Sequence, residues 1–148
     1  MTSVFVLDTG PAGKIAHPRP NEAMSLWLRE VLANGSIVVL PEIVDYELRR
    51  SFNLEIARGR TSFRESLDRL DRLREVLTFL PIDSHIMLKA AELWAEARLQ
   101  HRPTADNKEL DGDAILAAQA LQVKGLVVTD NIGHLGLFVE ARTWQEIQ

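Results

Sequence analysis

Val4-Phe5-Val6-Leu7-Asp8-Thr9-Gly10-Pro11 is an apolar run that stops on an acid and passes into a turn. Its four apolar residues are consecutive, not alternating. That pattern marks a strand buried on both faces, as in the middle of a parallel sheet. Residues 36–40 (Ser-Ile-Val-Val-Leu) and 126–129 (Leu-Val-Val-Thr) read the same way, and the latter again ends on an acid, Asp130. Residues 76–80, closed by Pro81, give a further strand, and 137–139 a short fifth.

Helical patterns fill the intervals. Residues 21–33 carry Met24, Leu28, Val31 and Leu32 on one face, with Asn21 as N-cap and Asn34-Gly35 as the stop. Pro41 fits the first turn of a helix over 42–57 that breaks at Arg58-Gly59. A third helix spans 61–75, with Ser62 and Glu65 placed as a capping box, and a fourth spans 84–100. Residues 101–108 are polar and read as a loop, while 113–124 form a helix that is apolar nearly all round and therefore buried. Strands alternating with helices predict an α/β protein, a single domain over 1–148, with helices on both faces of a short-stranded parallel sheet.

The composition narrows the chemistry. The chain has 148 residues, a formal net charge of -4 and no cysteine. Disulfide scaffolds, thiolate metal sites and a thiol nucleophile are thereby excluded. No stretch reaches the roughly 20 apolar residues of a membrane span, and the run ending on Asp8 is no secretory leader. A cytoplasmic location without membrane contact is the expectation. There is no GxxxxGK phosphate loop, which argues against a P-loop ATPase or kinase.

In such sheets ligands bind outside the carboxyl ends of the strands. Asp8 and Asp130 stand there, Asp111 and Asp113 stand where the buried helix opens, and Glu47 lies in an apolar stretch of the helix that follows the second strand. Taken singly, each acid has a plainer role as a turn former, helix cap or solvated side chain. Together they would repel one another, and no Lys or Arg is close to Asp8, Asp113 or Asp130 in sequence. A hard divalent cation, Mg²⁺ or Mn²⁺, would offset that repulsion. Between Arg49 and Arg74 there are eight arginines against four acids, which reads either as a solvated helix pair laced with ion pairs or as a face suited to bidentate phosphate contact and base stacking, begun by Arg49 and Arg50. Trp94 reads as core and Trp27 as part of an interface.

Four segments, Val4–Thr9, Pro41–Arg49, Asp111–Ala120 and Val127–Asn131, occur in the order of the PIN-domain motifs, and the chain resembles PIN-domain ribonucleases of the VapC toxin type along nearly its whole length. The resemblance implies a three-layer α/β/α sandwich and a Mg²⁺- or Mn²⁺-dependent endoribonuclease acting on single-stranded RNA (tRNA, rRNA or mRNA). It also implies a homodimer and a cognate antitoxin whose segment fills the acidic cleft. Carried across, Asp8, Glu47, Asp113 and Asp130 match the four metal-binding and catalytic acids. Thr9 orients a carboxylate, Asp111 falls where a further acid sometimes occurs, and either Asp130 or Asn131 fills the fourth place. Gly10 stands where the family often has Asn. The alternative is a PIN-like module that binds RNA or a protein without cutting. A phosphatase using Asp8 as nucleophile would want an acid at position 10, and a receiver domain would want an acid pair after the first strand.

Overall fold

The computed structural model describes residues 2–100, 107–130 and 132–147, together with all of their side chains except those of 107–109 and 134. Five strands are β1 (Val4–Leu7), β2 (Ile37–Pro41), β3 (Thr78–Leu80), β4 (Leu126–Thr129) and β5 (Ala141–Thr143). Six helices are α1 (Thr9–Ala16), α2 (Glu22–Ala33), α3 (Glu42–Ala57), α4 (Phe63–Val76), α5 (Ser84–Gln100) and α6 (Asn107–Val123). Every strand pairing is parallel, in the order β3-β2-β1-β4-β5. The expected α/β sandwich around a short-stranded parallel sheet is the observed fold.

Strand order places the site. From β1 the chain winds outward through β2 to β3, then crosses back to lay β4 on the other edge of β1. The winding direction therefore reverses between β1 and β4, and a crevice opens beyond their carboxyl ends. Register fixes its floor: Leu7 pairs with Val128, and the Asp8 amide donates to the Val128 carbonyl at 2.9 Å. Asp8 and Asp130 thus leave adjacent strands at one level.

The core explains why these strands are short and wholly apolar. Val6, Leu7, Val39, Leu40, Val127 and Val128 are almost completely buried, sealed by helices on both faces of the sheet. Trp27 is core and not the interface residue expected from sequence: it is 6% exposed, with its ring centroid 5.8 Å from that of Phe5. Trp94 packs beside the second apolar cluster, between α5 and α6. α6 serves both clusters: Leu116 and Ala120 face the sheet, whereas Ala114, Ala117 and Ala118 face α5. Its buried Gln119 accepts from the Ile43 amide in the first turn of α3 and donates to the Leu80 carbonyl at 2.7 Å. One amide thereby ties α6 to α3 and β3 and satisfies an otherwise orphaned helix N–H.

Several local expectations are corrected. Residues 9–16 form a helix where the sequence read only a turn. β5 lies at Ala141–Thr143, and residues 137–139 instead close a 3₁₀ turn whose Phe138 and Val139 cover the core. α6 begins at Asn107, so Asp111 and Asp113 lie inside it instead of opening it, and 107–108 are not loop. The rest of the expected loop, 101–106, is outside the described residues. Pro41 ends β2 and caps α3 from outside its first turn, and Ser62 makes no side-chain cap bond, so the capping box is absent. Asn21 caps α2 as expected, accepting from the Met24 amide at 2.9 Å.

Gly125 lets α6 turn into β4 directly over β1. A Cβ there would stand 2.5 Å from Val6 Cγ2 and 3.2 Å from Val4 Cγ1. Gly125→Ala should therefore destabilise the protein by about 1–3 kcal/mol through overpacking. A thermal melt checks this, and an unchanged midpoint would mean that β1 yields freely.

Candidate active site at the carboxyl ends of the strands

Asp8 does two structural jobs at once. Its Oδ1 accepts the Thr9 amide at 2.7 Å, capping α1, and its Oδ2 accepts the Thr129 hydroxyl at 2.8 Å. The plain capping role and the functional role are compatible, because the caps orient both carboxylate oxygens at the crevice. Burial pushes the Asp8 carboxyl above its ordinary range. The two hydrogen bonds oppose that shift, and the nearby charge of Asp130 adds to it.

Glu47, on the second turn of α3, reaches the same place. Burial raises its carboxyl, Arg50 opposes the rise, Asp8 adds to it, and a hydrogen bond from the Thr9 side chain favours the charged form. The Thr9 side chain thus lies at the Glu47 carboxylate, and its amide lies at that of Asp8. Asp130 completes the group from the end of β4, where Lys14 of α1 pairs with it at 3.1 Å.

Two glycines make room for these acids. A Cβ at position 10 would lie 2.5 Å from Asp130 Oδ2, and one at position 112 would lie 2.9 Å from Glu47 Oε1. Each carboxylate thus rests against bare backbone. Asp113 follows Gly112 directly and is half-buried on α6. Asp111 is exposed and borders a different hollow, of about 400 Å³, between α5 and α6 beside Met87 and Trp94. Asn131, the alternative for the fourth place, lies outside the described residues.

The arginines divide. Arg49 is bound within the fold, to both oxygens of the buried Asp45 and to Asp71 at 2.9 Å. Arg74 adds a second contact to Asp45, and the four side chains lock α3 to α4. Arg50 is exposed and stacks on the exposed Tyr46 at 5.3 Å from the ring centroid. Along α4, Glu65 and Arg69 form an ion pair at 4.0 Å, one of the kind expected for a solvated helix pair.

Lys14 is the group that sequence reasoning missed. The signal was its spacing from Gly10, one helical turn, which became visible only once 9–16 was known to be helix.

The donor set suits a hard cation: oxygen ligands from strand ends and helices, mutually repelling, each given room to approach. Among the described residues no group of three or more acids or histidines is placed to hold a metal ion as the structure stands.

Fold and site together define a doubly wound parallel α/β protein with a carboxylate cluster at its switch point. The chain belongs to the PIN domain family, whose profile matches residues 5–134. Similar solved structures include FitAcB from Neisseria gonorrhoeae, with a TM-score of 0.74 and 23% identity over 97% of this chain and 99% of that one. VapBC2 from Rickettsia felis, solved bound to a DNA fragment from its promoter, gives 0.74 and 19% over 95% and 98%. VapC20 from Mycobacterium tuberculosis, a sarcin-ricin loop cleaving toxin, gives 0.60 and 15% over 93% and 98%. At these identities the likeness is one of fold. No curated protein sequence matches the chain.

Raised carboxyls have a measurable consequence. Asp8 and Glu47 hold protons more tightly in the folded than in the unfolded chain. Between their ordinary and raised values the folded state therefore carries more protons, and stability falls as pH rises through that window. Cation-free protein should gain stability on mild acidification from pH 7, before the ion-paired acids protonate. Glu47→Gln should melt higher than wild type at pH 7 and gain less on acidification. Melts in chelator check both, and a lower midpoint for Glu47→Gln at pH 7 would contradict the account.

Proposed function

We propose that this protein is a divalent-cation-dependent endoribonuclease that hydrolyses phosphodiester bonds in single-stranded RNA. The observation that carries this reading is the convergence of Asp8, Glu47 and Asp130 at the switch point, with the Asp8 and Glu47 carboxyls raised by burial and by neighbouring negative charge. Membership of the PIN family supports it, as does the likeness of fold to a toxin that cleaves the sarcin-ricin loop.

Asp8, Asp113 and Asp130 would hold Mg²⁺ or Mn²⁺, which when bound lowers the pKa of water and offsets charge on the phosphoryl oxygens. Thr129 and the Thr9 amide fix the orientation of the Asp8 carboxylate. Glu47 orients the attacking water or helps to hold a second cation, and Thr9 steadies its carboxylate. Arg50, free of the network that binds Arg49, contributes positive charge and a stacking surface with Tyr46 for the RNA strand. Arg49 acts with it through the Asp45 pair, which holds this part of α3 against α4.

The same reading makes the protein a cytoplasmic homodimer and the toxin of a toxin–antitoxin pair. Its support is the likeness of fold to the VapBC and FitAB complexes.

The test is cleavage of a pool of structured RNAs with Mn²⁺, with Mg²⁺ and with chelator. Asp8→Asn should fold and lose at least about 100-fold in rate, since loss of an outer-shell partner alone costs roughly 10–100-fold. Cleavage by Asp8→Asn at the wild-type rate would overturn the assignment. RNA binding without cation-dependent cleavage would favour the non-catalytic module. Arg50→Gln should weaken RNA affinity and lower the slope of log affinity against log salt by up to about 1. An unchanged slope would remove Arg50 from the interface.

A further inference from the structure

Asp130 is held from two sides by one face of α1. Gly10 and Lys14 are four residues apart, so they project in the same direction from the helix. Gly10 brings bare backbone against Asp130 Oδ2, and Lys14 Nζ sits 3.1 Å from Asp130 Oδ1. Both partners of the ion pair are partly open to solvent, 42% exposed for Lys14 and 31% for Asp130. The ammonium is a compact charge on a flexible stem, and such pairs are individually weak and exchangeable.

We propose that Lys14 is a resident counter-cation of the acidic cluster, competing with a divalent cation for Asp130. The inference rests on the cation reading of the site. One oxygen of Asp130 lies beside the Gly10 backbone and the other pairs with Lys14, so a cation that takes Asp130 either displaces the ammonium or shares the carboxylate with it. Sharing sets like charges side by side, which disfavours it. Lys14 therefore holds Asp130 in place while no cation is bound and lowers the cation affinity below what the acids alone would give. It acts through Asp130 and is a positioning residue. Gly10 leaves the space in which Asp130 makes this pair: a Cβ there would stand 2.5 Å from its Oδ2 and oblige the carboxylate to shift.

The test is Mn²⁺ binding, followed calorimetrically and by the loss of the free-ion paramagnetic resonance signal, on the full chain. Lys14→Met should bind Mn²⁺ about three- to tenfold more tightly than wild type, because both the competing pair and the like-charge repulsion are gone. Lys14→Arg, which keeps the charge, should stay within about twofold of wild type. Matching thermal midpoints in chelator show that the variants are folded. Unchanged or weaker binding by Lys14→Met would overturn the proposal, because a merely structural lysine would not oppose the cation. Asp8→Asn separates the two levels of the argument. If it binds Mn²⁺ as wild type does, or if wild type binds none, the cation reading itself falls and the proposal falls with it. If only Lys14→Met fails to tighten, the cation reading stands and Lys14 has no part in it.

Discussion

The rest of the site depends on the hydrogen bond from the Asp8 amide to the Val128 carbonyl. It is the last rung of the parallel ladder between β1 and β4, and it sets two chain ends at one height where the winding of the sheet reverses. From there the geometry propagates. Asp8 caps α1, and α1 carries Gly10 and Lys14 to Asp130. Thr129, the last residue of β4, turns its hydroxyl back to Asp8. A slip of one residue in this pairing would exchange the faces to which Leu7 and Val128 point and move Asp8 and Asp130 to different heights.

The cluster sets the fold against its own charges. The core has to bury the strand ends to exist, and burial makes the carboxylates costly to ionise. Local devices offset part of that cost: two donors on Asp8, Thr9 and Arg50 acting on Glu47, and an ammonium on Asp130. The residual tension gives the site its chemical character, and it is this tension that the proposed divalent cation would relieve. Stability withheld at such a site is commonly the cost of function. The Asp45–Arg49–Asp71–Arg74 network and Gln119 lie away from this tension and hold α3 in register, so that Glu47 arrives where it is needed.

The sheet was legible in the sequence wherever burial on both faces wrote itself as consecutive apolar residues. β1, β2 and β4 were placed to within a residue, and Asp8 and Asp130 followed from them. α1 was not legible, because Thr9-Gly10-Pro11-Ala12-Gly13 is rich in helix breakers. Pro11 falls in the first turn, where its missing N–H costs nothing, and Gly13 packs closely on Leu48, so tertiary contacts and the Asp8 cap override propensity. Lys14 was missed with the helix that carries it. β5 was misplaced because Ala141-Arg142-Thr143 is a polar edge strand, while the apolar residues 137–139 cover the core without pairing. The buried amide of Gln119 was visible as a residue, but its partners, Ile43 and Leu80, are set by the fold alone.

The central claim is that the carboxylates at the end of β1 and β4 form one cation site. Paramagnetic broadening locates such a site directly: Mn²⁺ is titrated at sub-stoichiometric amounts into isotope-labelled protein, and backbone amide signals are followed. The account predicts that Asp8, Thr9, Glu47, Gly112, Asp113 and Asp130 broaden first and together, with the amides of α4 and the far ends of the strands unaffected. Broadening centred elsewhere, or spread evenly over exposed acids such as Glu75 and Glu92, would contradict it.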